Sequence, residues 1–251
     1  MLRLALAASL ALVVGVEKGN AHEFWISPET YRAVVGDAVV ADLRLGEDFR
    51  GIARGFEAEN FERFEIVTSD GTVPVEARNG AIPALNAADL PEGLEVIVHE
   101  TTPRDLTWNA WERFAAFAES KGLGDVATMQ DERGLDRLNV RESYIRYAKS
   151  LVAVGHGHGA DIVVGLRAEL VALANPYVDD LVSAFPVQLW LDGEPCPASQ
   201  VEVYARPAGG GTSELTLYET DGNGIAVLTV EPGMEYLVNA VRLEPGEGEP
   251  D

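Results

Sequence analysis

Short stretches in which apolar and polar residues alternate, each cut off by Gly, Pro, Asp or Asn, constrain this chain more than any other feature. In Val39–Leu45, residues Val39, Ala41, Leu43 and Leu45 fall on one face and Val40, Asp42 and Arg44 on the other. A strand turns successive side chains to opposite sides, so a period of two marks a half-buried strand. Arg63–Thr68 places Phe64 and Ile66 inward, and Ser69-Asp70-Gly71 reads as a hairpin turn leading back through Val73–Val75. Leu94, Val96 and Val98 share one face of Leu94–Glu100. The same grammar returns in Lys149–Val154, Arg167–Leu173, Phe185–Leu191, Val201–Ala205, Leu215–Glu219, Ile225–Val230 and Tyr236–Leu243. Strands this short, at this spacing, predict a mainly β protein built as antiparallel sandwich.

The alternation breaks once. Between residues 103 and 146, Trp111, Phe114, Ala115 and Ala118 recur at helical spacing, with Asn109 and Glu112 placed as a capping box and Gly122 and Gly124 as a stop. A second helix is expected over Asp125–Glu132 and a third from Val140 towards Tyr147. The chain therefore divides into a first β region (22–102), a small helical insertion (103–146), a second β region (147–243) and a Gly-, Pro- and acid-rich tail (244–251) expected to be disordered. Within the insertion, Arg133, Arg137, Arg141 and Arg146 form a local basic patch, read as salt-bridged surface.

The amino terminus carries an export signal: a positive start at Met1–Arg3, an uncharged apolar run Leu4–Val16, and a small-x-small cleavage site at Gly19 and Ala21. The apolar run is short for a membrane span. Cleavage after Ala21 would give a periplasmic product with no direct membrane insertion, beginning at His22. Lys and Arg total 19 against 41 Asp and Glu, a net charge of −22, which repels nucleic acid and anionic lipid. One cysteine, Cys196, rules out an internal disulfide and a thiolate metal cluster.

Chemistry then falls to four histidines: His22, His99, His156 and His158. His22 is either a ligand, since a histidine at a free amino terminus offers its α-amine and its imidazole to one transition metal, or merely the mature terminus. The amine titrates near roughly pH 8, so a metal readily displaces its proton at neutral pH. A histidine brace needs a second imidazole. His99, on the face of its strand opposite Leu94, Val96 and Val98, is either that ligand or an exposed histidine beside Glu100. His156 and His158, in Gly155-His156-Gly157-His158-Gly159, form with Asp161 either a mobile metal-catching loop or polar filler; the glycine content predicts flexibility. Imidazole suits a divalent transition metal of borderline softness. No Gly-x-Ser-x-Gly elbow, His-Glu-x-x-His helix or dinucleotide fingerprint is present.

Several segments together resemble the exported bacterial family called domain of unknown function 4198, once linked by name to nickel uptake. They are Ala21-His22-Glu23-Phe24-Trp25, Gly46-Glu47-Asp48-Phe49-Arg50-Gly51, Tyr147-Ala148-Lys149-Ser150-Leu151 and Asn175-Pro176-Tyr177. Thr220-Asp221-Gly222-Asn223-Gly224 is similar to a turn of the transthyretin-like or carboxypeptidase-regulatory sandwich. The resemblance implies two β-sandwich parts, Ig-like or prealbumin-like, around the helical insertion. It also implies a nickel- or cobalt-class metal. Family members usually close with a further aromatic strand that is not found before Asp251, which would leave an open edge. The expected function is a non-enzymatic, metal-binding accessory protein of the periplasm, supplying divalent metal to a membrane metal transporter. The alternatives are a histidine-brace copper oxidative enzyme and a metal-free structural or interaction module.

Overall fold

The computed structural model describes residues 22–181 and 183–246. The export signal and its cleavage site, apart from His22 itself, lie outside the described residues, as does the tail beyond 246. In chain order the first β region holds β1 (Glu23–Pro28), β2 (Arg32–Ala33), β3 (Val39–Glu47), β4 (Arg50–Arg54), a 3-10 turn (Ala58–Asn60), β5 (Phe61–Thr68), β6 (Gly71–Pro74), β7 (Leu85–Ala87) and β8 (Gly93–Thr101). The insertion follows with β9 (Arg104–Trp108), α1 (Trp111–Ser120), α2 (Val126–Glu132) and β10 (Val140–Tyr144), and then comes β11 (Tyr147–Val154). The second region holds β12 (Ala168–Ala172), β13 (Ala184–Leu191), β14 (Glu194–Pro195), β15 (Gln200–Pro207), β16 (Glu214–Glu219), β17 (Ile225–Thr229) and β18 (Met234–Asn239). The protein is thus mainly β with two short helices.

In the first region, β1, β3 and β4 form a sheet that β7 joins through β3, and a second sheet runs β2-β11-β8-β5-β6. Ile26, Val39, Ala41, Leu43 and Leu85 of the first sheet and Phe64, Ile66, Ile97, Val152 and Val154 of the second share one core. Val39, Ala41, Leu43, Phe64 and Ile66 are inward positions that the alternation marked, and each large apolar side chain removed from water contributes roughly 1.5–3 kcal/mol. In the second region β12, β13, β14 and β17 form one sheet and β16-β15-β18 another. Their core joins Val187, Ala226 and Leu228 to Val201 and Val203.

Four local expectations change. Val140–Tyr144 is a strand, not a helix: it pairs antiparallel with Arg104–Trp108, so that buried Val140 faces buried Trp108. Arg-Glu-Ser-Tyr offers no apolar helical stripe, and Asn139 with φ +52° turns the chain out of a helical path. The cap of α1 is Ala110 with no side-chain bond, so Asn109 and Glu112 form no capping box; α2 forms over Val126–Glu132, capped by Asp125 accepting from the Thr128 N–H. β11, expected to open the second region, pairs along its whole length with β8 and completes the first region's sheet. The start of the tail is tethered, for Glu244 pairs with Arg167 and the Gly246 carbonyl accepts from Arg133.

β8 shows why one-sided alternation understated burial. Gly93 to His99 is buried throughout, on both faces. Ile97 enters the core between the sheets, whereas Val96 and Val98 pack on the other side against Leu166, Val164 and Leu151. The segment after β11 folds back over the sheet and covers the face a two-sheet unit leaves to water.

Candidate functional site

The strand Glu23–Pro28 positions the site. It pairs with β3 so that Phe24 faces Leu45 and Ile26 faces Leu43. Trp25 is buried beneath the turn Gly46–Gly51, which reverses at Asp48 and Phe49 with φ of 52° and 62°. A Cβ at Gly51 would lie 2.6 Å from Trp25 Cη2, so glycine is what lets the turn close on the indole. Phe49 meets Trp25 edge-on at 6.4 Å, and the Arg206 guanidinium lies 4.2 Å from the Phe49 ring centre. The first and second β regions are joined here by an aromatic–cation stack.

Between the two β regions and the insertion runs an open cleft of ≈ 2100 Å³. Its walls gather segments that lie far apart in sequence: His22 to Ile26, Phe49, Tyr147 to Leu151, and Pro176-Tyr177. Thr220–Gly224 is not part of it; there Asp221 closes a turn by accepting from the Asn223 and Ile225 N–H groups.

Two lysines with side chains no more than 9% exposed line the cleft. Lys121, at the end of α1, bonds Glu202 Oε2 at 2.7 Å and lies 3.6 Å from Glu23 Oε1. Glu23 Oε1 also accepts from the Tyr204 hydroxyl at 3.1 Å, but Glu23 Oε2 is buried with no hydrogen bond among the described residues. Burial raises the Glu23 carboxyl above its ordinary range, and nearby Lys121 only partly offsets this. Lys149 bonds Asp161 at 2.7 Å and Glu169 at 2.8 Å, and so ties β11 to β12.

The histidines are dispersed. His22 is exposed and lines the cleft just before β1. His99 is 3% exposed, not an exposed strand residue: its ring packs at 5.0 to 5.4 Å from those of Phe24, Phe61 and Phe64. Burial lowers its imidazole to about 4, so it is neutral at pH 7, and its Nδ1 has no hydrogen-bond partner among the described residues. His156 and His158 are exposed, with rings 4.8 Å apart. Their loop is pinned by the Asn175 amide, which donates to the Gly157 and Gly159 carbonyls. A Cβ at Gly157 would fall 2.7 Å from Ala153 Cβ, so that glycine serves close packing and a φ of +65°. His156 Nδ1 accepts the His158 N–H, which leaves the proton of the neutral ring on Nε2, 3.9 Å from Glu92. Asp161, expected to join these histidines, is turned away to Lys149. No group of three or more His, Cys, Asp or Glu side chains is arranged to hold a metal among the described residues.

Sequence reasoning missed Glu23, Lys121, Glu202 and Tyr204. The available signal was the rarity of lysine: three in the chain, two of them in the described part and both tied to carboxylates.

Among solved structures, two of the β-glucuronidase of Parabacteroides merdae are similar over 87% of this chain. One, with glycerol in its active site, shows 11% identity, 24% coverage of that chain and a TM-score of 0.19; the other shows 9%, 25% and 0.18. The chain spans about a quarter of those chains, and likeness at that level carries no argument. No curated protein matches. The model of the family described as "Domain of unknown function (DUF4198)" matches residues 19–244.

Proposed function

We propose, from the premise that this chain belongs to the DUF4198 family, that it is an exported, non-enzymatic metal-binding accessory protein of the periplasm. Its metal is held at the amino terminus created by cleavage after Ala21. The α-amine and the imidazole Nδ1 of His22 would close a six-membered chelate ring on one divalent nickel, cobalt or copper ion, with a membrane metal transporter as the receiving partner. The observation that supports this reading is the position of His22, exposed on the wall of the cleft and next to a buried carboxylate with an unpartnered oxygen, Glu23 Oε2. Each facing pair of sheets is taken as a sandwich, which supplies a rigid base for β1.

The test compares three forms of the protein, with the terminus verified by intact mass: the form starting at His22, the same form carrying His22→Ala, and a form that retains Ala21. Nickel, cobalt, copper and zinc are titrated into each. Binding at least about tenfold weaker in both altered forms is expected, because each lacks one arm of the chelate. Equal affinity in all three forms would overturn the terminal site.

A further inference from the structure

Behind Phe24 lies a second cavity of ≈ 390 Å³, a size within the range of roughly 300–1,000 Å³ usual for small-molecule sites. It shares Phe24, Leu45, Tyr144 and Arg146 with the cleft, which makes it a side chamber. Its floor is apolar and aromatic: Phe24, Leu43, Leu45, Phe61 and the neutral ring of His99. Its rim carries three guanidiniums, Arg54 at the end of β4, Arg104 at the start of β9 and Arg146 in the link from β10 to β11.

None of the three is in an ion pair among the described residues. Arg54 is paired with Leu43 through the backbone, and its side chain makes neither a hydrogen bond nor an ion pair there. The Arg104 guanidinium bonds the side-chain oxygen of Asn60. Arg146 lies over the Tyr144 ring with 4.5 Å to its centre, its Nη1 3.4 Å from the Tyr144 hydroxyl. Its backbone N–H donates to Thr101 Oγ1 at 2.9 Å, which fixes the base of the side chain. The one carboxylate lining the chamber, Glu57, is engaged by the Asn60 amide. Burial raises the Glu142 carboxyl above its ordinary range, and Trp108 and, through space, Arg146 only partly offset this. In a chain with 41 acidic residues against 19 basic ones, a lining of three arginines and one carboxylate runs against the overall charge. Three arginines against one carboxylate give the lining of this chamber a net positive charge, which an anion bound over the apolar floor would offset. His99, 3% exposed with an unpartnered Nδ1, adds a buried polar side chain to the same chamber.

The geometry points to a binding site for a small organic carboxylate, its carboxylate held by Arg54, Arg104 and Arg146 and its apolar body laid on Phe24, Phe61 and Leu43. The planar guanidinium fork matches a carboxylate, and the hydrophobic floor favours an organic acid over inorganic phosphate. The site is separate from the terminal metal chelate and does not depend on it.

The test uses the form starting at His22, in EDTA so that metal plays no part. Phenylacetate, its uncharged amide phenylacetamide, and inorganic phosphate are each titrated by calorimetry while the imidazole resonances of the four histidines are followed. Phenylacetate is expected to bind saturably, to shift His99 and to leave His156 and His158 unmoved, with phenylacetamide at least about tenfold weaker. Arg54→Gln should weaken phenylacetate about tenfold with an unchanged unfolding midpoint, because it removes no side-chain hydrogen bond or ion pair among the described residues. Absence of saturable phenylacetate binding, equal binding of the amide, or affinity unchanged in both Arg54→Gln and Arg104→Gln would overturn the site. Phosphate binding as tightly as phenylacetate would overturn the organic-acid assignment.

Discussion

Lys121 and Lys149 are alike in burial, and each holds two carboxylates, yet their surroundings differ in one respect. Around Lys149 every carboxylate oxygen has a partner. Asp161 accepts the Ile162 N–H at 2.9 Å and the Ala172 N–H at 2.8 Å. Glu169 accepts from Val164, Gly165 and Leu166 at 2.9 to 3.2 Å. Around Lys121, Glu202 is fully engaged, with Asn239 donating to its Oε2 at 2.7 Å, but Glu23 leaves one oxygen bare. A buried ion pair repays its desolvation only when the remaining lone pairs are also filled. By that measure the Lys149 centre is a fastening between the β regions. The Lys121 centre is incomplete at the residue that follows His22, and a structure built for stability alone would not leave it so.

Four substitutions sharpen or break this contrast, each read by urea unfolding. Lys149→Met strands two buried acids and should destabilise by roughly 3–5 kcal/mol at pH 7. Lys121→Met should cost about 2 kcal/mol, because Glu23, already raised by burial, relieves the loss by taking up a proton. A loss at Lys121 as large as at Lys149 would erase the distinction. Glu95 extends the comparison: it is wholly buried in β8 with both oxygens unpartnered, and burial, with Asp70 adding to it, raises its carboxyl to about 7. The folded state thus holds its proton more tightly than the unfolded chain. The stability this confers is complete at low pH and is lost as pH rises towards and through about 7. Glu95→Met should therefore stabilise by roughly 2 kcal/mol at pH 8 and by little at pH 5. His99 has the opposite sign: its lowered imidazole removes stability as pH falls from its unfolded value towards about 4. Smallest of all, Glu23→Gln should change stability by under about 1 kcal/mol, since it keeps an acceptor for Tyr204 and removes a poorly compensated charge. A loss of several kcal/mol would show that Glu23 is structural after all.

Sheet content was legible because alternation is local: each strand in Val39–Leu45, Arg63–Thr68 or Phe185–Leu191 carries its own inward and outward faces. The second helix and the turn at Asp221 were legible for the same reason, since the bonds that close them join residues within four of each other. The insertion's hairpin was not, because Val140–Tyr144 becomes a strand only by pairing with Arg104–Trp108. His22 was legible as a candidate from the cleavage pattern, and the structure adds its place on the cleft wall.

What the sequence determined by itself is a mainly β chain, its helical interruption and the few residues able to carry metal chemistry. The tertiary structure alone decided that β11 belongs with the first region, that His99 is a buried neutral ring, and that Asp161 answers Lys149 rather than the loop histidines. It also brought Lys121 to Glu202, 81 residues away, and Tyr204 to Glu23, 181 residues away. The physical reason is one of range. Strand and turn preferences act through neighbouring residues, whereas the protonation and pairing of a buried group depend on whichever distant segment removes it from water.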